Sequence, residues 1–493
     1  MLLSYEDAVR KMLALPVTDP RNWYRIAFTH FLDCPHGNWW ILPWHRGFTG
    51  FVEQMVREVG GDPNFAFPYW DWTDEPAVPA SMNGGALNPN NFAGMYPTPQ
   101  AFHDAFDAAL VAAGYWSDPG QLQQLGYRGM PTPDDMWQQI FLPPDGPAFY
   151  QPPNARSPAA ALDCVAGAAV TTPVIDIALS PQNFITFGSN PAQHHSQVAG
   201  FGILELQPHN KIHNNVGGLI YPGTIGNCDR YDPTDSGGYM QNNLSPVDPL
   251  FFLHHSNLDR LWQVWTDNQT AHQLPTLPVG ADYQQWASEP FLFFFDGAGR
   301  PVTQNQAGYY SDTARFDYDY RPGAMQAVQL MRTPGRRSRA RRPVNYYAAE
   351  VPAGLLGATA LSARTTPSAV RLVRALVQEA RSADRVVMAK ILTTLPPHHR
   401  GQLFRVVVHG DDPDRSVEVG TLSMFGHVTH HGPTSFTLPA GAAIARLVGS
   451  GGARVGGLLH FRVLAPPGAG HGLHAEAAEP SDLRILSVQL EAH

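Results

Sequence analysis

The stretch His30–Arg46, HFLDCPHGNWWILPWHR, decides how this chain is read, because one short segment gathers three histidines, a cysteine and a run of tryptophan and proline. Its counterparts lie far downstream: Glu205–Gly218 reads ELQPHNKIHNNVGG and Asp248–Trp262 reads DPLFFLHHSNLDRLW. Imidazole suits copper, zinc, iron and nickel alike, and a set with several imidazoles and few carboxylates argues against magnesium or calcium. Two such clusters point to two metals. His209 and His213 stand at i and i+4, so on a helix both rings leave one face and can hold one ion. The third partner comes from His254 or His255, at the head of a run whose Leu258, Leu261, Trp262 and Trp265 recur at helical spacing. Adjacent helical histidines point about 100° apart, so one of this pair is the ligand and the other supports it. In the first cluster Pro35, Gly37 and Pro43 imply a loop carrying His36 and a new helix, starting near Pro43, that carries His45. His30 closes an earlier helix. Three imidazoles on a metal leave a coordination position open.

Four segments carry a resemblance to a known family: PWHRGF, FPYWDW (Phe67–Trp72), PHNKIH and DPLFFLHHSNLDRLW. They resemble the signatures of the type-3 copper proteins, which are the tyrosinases (polyphenol oxidases), catechol oxidases and molluscan oxygen carriers, over about residues 20 to 325. The resemblance implies two copper ions, held by His30, His36 and His45 and by His209, His213 and His255, with dioxygen as co-substrate; it selects His255 over His254. A thioether between Cys34 and His36 is implied in the same way. Glu205 and Asn210 fall where this family places an acid and an asparagine that hold a water able to accept a phenol's proton. A phenol titrates near 10, so a positioned base lowers that barrier. The plainer role for Glu205 is a cap or salt bridge, and for Asn210 a hydrogen bond to a neighbouring loop. Asn214 follows His213 at a position that varies with substrate in the family. A zinc hydrolase is a poor fit, since its base would follow the first histidine directly, where this chain has Asn210.

The implied fold is mainly α: a helical-bundle dicopper domain with long loops at 1–325, an Arg-rich linker at 326–345, and a C-terminal shielding domain at 346–493 built from a helix and a β-sandwich. The residues give the same outline. Helices are expected at Tyr5–Leu15, Asn22–Leu32 and Trp44–Val59, and a short one near Phe102–Ala113 within a Pro- and Gly-rich region from about 74 to 200. Tyr318 and Tyr320 resemble the motif that closes the catalytic domain in plant-like members, and Asp259 and Arg260 are expected to orient the ligand helices through charge pairs. Beyond the linker, one amphipathic helix is expected within Pro367–Leu395. Strands are expected at Leu403–His409, Val417–Met424, Ser435–Leu438, Ala443–Val448, Leu458–Leu464 and Leu483–Leu490. Met424 and Phe425, beside a turn at Gly426, are the candidates for a side chain that plugs the site.

Composition sets the outer bounds. The chain has 493 residues, 43% of them hydrophobic, and a formal charge of −9, which gives no electrostatic case for nucleic acid. No apolar run reaches the length of a membrane span. The opening MLLSYEDAVRKML carries acids early and lacks a basic n-region, which predicts a cytoplasmic protein. Three cysteines build no disulfide framework, so Cys164 and Cys228 are expected as buried thiols. His194, His195 and the His427, His430, His431 group are expected at the surface, and His103 as structural. The partners are small phenols, with self-association into a homo-oligomer left open. The reading is a monophenol monooxygenase and o-diphenol oxidase. Its alternatives are a catechol oxidase and an oxygen carrier using the same six histidines.

Overall fold

Helix α1 spans Leu2–Leu13, α2 Trp23–Asp33 and α3 Ile41–Gly60, close to the three helices expected at the start of the chain. The computed structural model describes residues 1–141, 155–157, 159–229, 237–320, 344–350, 386–394, 403–423, 425, 432–454, 459–464 and 484–492. Asn22 caps α2 by accepting from the backbone of Tyr24 and Arg25. Pro35 then disfavours helical backbone at Cys34, which is extended at φ −63°, ψ 132°, and α2 stops there. Gly37 turns the loop with φ +63°, the left-handed region that glycine enters without strain. Helix α3 ends on Gly61, whose N–H bonds back to the Arg57 carbonyl.

Helix α3 packs against α1 on one side and against the long helix Leu250–Ala271 on the other. This frame faces the turn at Glu205–His209, a π-helical turn that passes into a helix at Asn210–Val216. The π geometry has a local cause. Pro208 has no N–H to give to the preceding turn, so the ladder widens across it. The region from 74 to 200 is more helical than its composition suggested, with Pro119–Tyr127, Pro133–Ile140, Cys164–Ala169 and Thr172–Ala178 beside Pro99–Ala112. Several of these begin with a capping side chain followed by proline, as at Thr98, Asp118 and Thr132.

The β portion is C-terminal apart from two short pieces. Strand β1 is Gly200–Phe201, and β2 (Gly223–Thr224) and β3 (Asn227–Cys228) form a hairpin. The C-terminal strands are β4 (Val344–Glu350), β5 (Val387–Thr394), β6 (Leu403–His409), β7 (Val417–Ser423), β8 (Thr434–Pro439), β9 (His460–Leu464) and β10 (Arg484–Ala492). One sheet runs β1-β8-β5-β10-β4 and the other β7-β6-β9. Side chains of both sheets fill a second core, separate from the helical one, and Val198, Phe201 and Leu206 from the helical half reach into it. Strand β1 pairs in parallel with β8, Gly200 opposite Ser435 and Phe201 opposite Phe436.

Three expectations change. Residues Gly441–Gly449 form a helix instead of the strand expected at Ala443–Val448, because Ala443, Ile444 and Leu447 bury one helical face. The end of the helix expected within Pro367–Leu395 is strand β5; its apolar residues 370–377 lie outside the described residues, as does the expected linker up to β4. Cys164 and Cys228 are joined in a disulfide with Cα atoms 5.3 Å apart, which ties the helix at Cys164 to β3. Among the described residues no helix is long and apolar enough to cross a membrane.

Candidate metal centre

Helix α2 brings His30 to the centre of the bundle, the following loop brings His36, and α3 brings His45; all three are buried. Opposite them, the 205–216 segment supplies His209 and His213, and the long helix supplies His254 and His255. Potential ligand atoms of His30, His36 and His45 lie within 4.8 Å of one another, and so do those of His209, His213, His254 and His255. The two sets meet where His45 stacks on His255, with ring centroids 4.2 Å apart and planes 8° apart.

The hydrogen bonds determine which nitrogen of each ring is free for a metal. His30 Nδ1 donates to the Asn243 carbonyl at 2.7 Å, His45 Nδ1 to Ile41 at 2.8 Å, and His213 Nδ1 to Met240 at 2.9 Å. His209 Nδ1 donates to Asn210 Oδ1 at 2.9 Å. Each such bond leaves a lone pair on Nε2, aimed inward. His30 Nε2 and His45 Nε2 are then two acceptors only 3.3 Å apart. His213 Nε2 lies 3.2 Å from His255 Nε2. Facing lone pairs repel unless a cation lies between them, so His30 and His45 fit a metal in the first half. In the second the fit rests on the inward Nε2 atoms of His209 and His213 and on the gathering of His209, His213, His254 and His255 around one point. Burial lowers the pKa of His30 to about 3 and of His209 to about 4, and holds His45, His213, His254 and His255 well below the usual histidine range. The rings are therefore neutral near pH 7, the protonation state that binds metal.

His254 sits in the same group, its ring centroid 4.9 Å from that of Trp72 with the planes inclined by 42°, and its two nitrogens have no hydrogen-bond partner among the described residues. Cys34 Sγ lies 3.6 Å from His36 Nδ1, so the sulfur is beside the imidazole ring. Burial raises the Cys34 thiol to about 12.

Glu205 is buried, with no cationic partner at its carboxylate among the described residues. Its Oε1 accepts from the Gly37 N–H at 2.7 Å and its Oε2 from Ser189 Oγ at 2.5 Å. Burial raises its pKa to about 8, although both hydrogen bonds pull it back. Because the turn is π-helical, Glu205 reaches toward the His36 loop instead of stacking as a regular i, i+4 neighbour of His209.

The C-terminal domain enters the site directly. Phe425 lies with its ring centroid 3.9 Å from that of His213, 4.9 Å from His36 and 5.7 Å from His209. Ser423, at the end of β7, accepts from Asn210 Nδ2 through its carbonyl and from Asn214 Nδ2 through its hydroxyl, both at 2.9 Å. Met424, the other plug candidate, lies outside the described residues, as do His427, His430 and His431.

Two supporting clusters frame the metal ligands. Asp259 accepts from Arg46 Nε at 2.6 Å and from the hydroxyls of Tyr318 and Tyr320, and Arg260 bonds to Asp71 at 2.9 Å. These pairs cross-link α3, the long helix and the tyrosine segment. The other cluster was missed in the sequence. His195, expected at the surface, is fully buried: Nε2 donates to Asp33 at 2.9 Å and Nδ1 to Glu289 at 2.7 Å. Burial alone would lower its pKa, but the Asp33 charge and both hydrogen bonds outweigh that and raise it. Its neighbour His194 is half-buried and stacked on Tyr127.

Among curated proteins the chain is similar to a chloroplastic polyphenol oxidase of Spinacia oleracea, 24% identical over 343 residues, covering 65% of this chain and 44% of that protein's length. Among solved structures it resembles a latent aurone synthase (TM-score 0.54, 17% identity, 100% of this chain and 86% of that one). It also resembles a functional unit of octopus hemocyanin (TM-score 0.52, 19% identity, 99% and 96%). At these identities the structural likeness speaks for the fold.

The expectation of a cytoplasmic protein does not survive. The spinach relative is named as chloroplastic, and a disulfide such as Cys164–Cys228 belongs to oxidising surroundings. The opening residues had argued only against one type of export signal. Residues 20–268, just over half of the chain, match the common central domain of tyrosinase, and with both histidine sets in place for its dicopper centre, the chain belongs to the tyrosinase family.

Proposed function

We propose that the chain oxidises phenols with dioxygen at the dicopper centre, first hydroxylating a monophenol at the ortho position and then oxidising the diphenol to the o-quinone. The observation that carries this reading is the pair of converging imidazole sets, with inward Nε2 atoms only 3.3 Å and 3.2 Å apart. His30, His36 and His45 would hold one copper, and His209, His213 and His255 the other. Copper, when bound, supplies the redox chemistry that activates dioxygen. The family resemblance selects His255 over His254, and the place of His255 between the two sets, stacked on His45, supports that choice.

The protein's own residues handle the substrate and its proton. Glu205 and Asn210 lie at the His36 and His209 sides of the site, where together they can hold a water that takes the phenol proton. Glu205 is suited to this because burial raises its pKa to about 8, so it can accept and release a proton near neutral pH. The His213 face now covered by Phe425 is where an aromatic substrate would stack. In this reading residues 1–325 are the catalytic domain, and 346–493 form a lid that keeps the site closed until Phe425 withdraws.

The test is oxygen uptake by the copper-loaded chain given a monophenol with a trace of diphenol to prime it. Sustained uptake establishes monophenol hydroxylation. Consumption of a diphenol alone makes the chain a catechol oxidase and leaves Glu205 and Asn210 structural. Reversible oxygen binding without turnover, in Phe425→Ala as well as in the intact chain, makes it an oxygen carrier.

A further inference from the structure

Glu205 is held by groups from two different segments, and only one of them is a side chain. The Gly37 N–H is backbone and survives any substitution at Glu205's partners. The Ser189 hydroxyl is the one side-chain donor to this carboxylate among the described residues. Ser189 is fully buried, and its own orientation is determined. Its Oγ accepts from the Gly202 N–H at 2.9 Å, so its proton is left to point at Glu205 Oε2. Ser189 also bridges Phe201 in antiparallel fashion, and Asn190 N–H bonds to the Gly200 carbonyl at 3.1 Å. Gly202 allows this close approach. A Cβ there would lie 2.8 Å from the Ser189 nitrogen and 2.7 Å from the Gly188 carbonyl carbon.

We propose that Ser189 is a positioning residue for monophenol hydroxylation: its hydroxyl fixes the Glu205 carboxylate in the one orientation from which it can hold the proton-accepting water. This rests on the role given above to Glu205. The bond to Ser189 occupies Oε2 along one direction, and the Gly37 bond does the same for Oε1, so the carboxylate cannot rotate about its last bond. Its remaining lone pairs then face a defined region. Without the hydroxyl, the carboxylate keeps one anchor and becomes free to turn. Diphenol oxidation also releases two protons, but the water held by Glu205 is assigned above to the monophenol's proton, so hydroxylation should be the step that depends most on this hydrogen bond. The same segment runs into β1, which the lid's β8 completes, so the support of Glu205 is continuous with the lid.

The test compares Ser189→Ala, Ser189→Thr and Glu205→Gln in the full chain. In the copper-loaded proteins, Ser189→Ala should lower kcat for a monophenol by at least about tenfold, a part of the roughly hundred- to ten-thousandfold that a positioned base contributes, and leave diphenol kcat nearly unchanged. Ser189→Thr, which keeps the hydroxyl, should restore most of the loss. Equal loss on both substrates, or no loss, overturns the proposal. Glu205→Gln separates it from the reading it rests on. If Glu205→Gln collapses the monophenol-to-diphenol ratio and Ser189→Ala does not, only Ser189's role falls; if Glu205→Gln leaves the ratio unchanged, both fall. A second measurement uses the copper-free chain: the infrared carboxyl band that vanishes in Glu205→Gln should shift in Ser189→Ala, and an unmoved band overturns the proposal independently of turnover.

Discussion

The ring of Phe425 stacks on that of His213, centroids 3.9 Å apart with planes inclined by 26°, so a residue from the C-terminal part of the chain occupies the face of an imidazole that also turns its Nε2 toward His255. Truncating Phe425 should open this face. Phe425→Ala in the full copper-loaded chain is expected to raise diphenol turnover by at least about tenfold, equivalent to about 1.4 kcal/mol of barrier. Oxygen uptake against wild type is the measurement. Unchanged turnover would mean the lid closes the site by other contacts, of which the Ser423 bonds to Asn210 and Asn214 are the nearest.

The 3.6 Å approach of Cys34 to His36 predicts a covalent link once copper is loaded in the presence of dioxygen, which would take the two electrons and two protons that the new S–C bond releases. After reduction and alkylation, Cys164 and Cys228 should each take up label and Cys34 should not, leaving two labelled cysteines of the three in the chain. Peptide mass spectrometry should find the Cys34–His36 peptide two hydrogens lighter than its sequence. Full labelling of Cys34 in the copper-loaded chain would rule the link out.

Single ligand substitutions should separate the two metals. His209→Ala is expected to leave about one copper per chain and His30→Ala likewise, the other set of three imidazoles being intact. Metal analysis after dialysis reads this directly, and loss of both coppers from either variant would show that the sites do not load independently. Acid should act on the metal-free chain through the same rings. His30 and His209 have folded pKa values of about 3 and 4, below the ordinary 6.5, so the stability they contribute is present above pH 6.5 and is lost as pH falls toward 4 and then 3. The urea midpoint of the metal-free protein should fall across that window.

His195 should give the opposite slope. Its folded pKa is raised, so its contribution is complete below pH 6.5 and disappears as pH climbs through the folded value. Asp33 and Glu289 face its two nitrogens. Trp44 donates to the other Asp33 oxygen at 2.8 Å, Arg128 bonds to the carbonyls of Asp33 and Cys34, and Phe291 packs on the ring. His195→Gln removes the positive charge between two carboxylates and should cost about 3–5 kcal/mol, the usual cost of breaking a buried ion pair. It should also flatten the alkaline arm of the stability profile, which chemical denaturation at several pH values would read.

How much of this was legible in the sequence depends on whether a signal was local. The ligand helices were, because histidine spacing, Pro35, Gly37 and Pro43 all act within a few residues of one another. So were five of the six expected C-terminal strands. Residues 443–448 misled because a short apolar run does not reveal its period, and only burial of Ala443, Ile444 and Leu447 shows it to be helical. His195 looked like a polar loop residue since its partners lie 162 and 94 positions away. The Cys164–Cys228 pair, separated by 64 residues, has no spacing that could have announced it. Ser189 lies outside every recognisable motif, and its importance appears only where Gly202 lets two strands approach.

The parallel pairing of Gly200–Phe201 with Ser435–Phe436 means that the lid borrows the outermost strand of its sheet from the body it covers. Cutting the chain before β4 therefore does not release the lid, which stays attached by main-chain bonds and by Phe201 stacked on Phe436. Once it does separate, β8 becomes a bare sheet edge, a row of unpaired amides and carbonyls beside an exposed phenylalanine. Such an edge recruits other strands, so a separated C-terminal sheet would be prone to associate with other chains, and the body would be left with Phe201 uncovered.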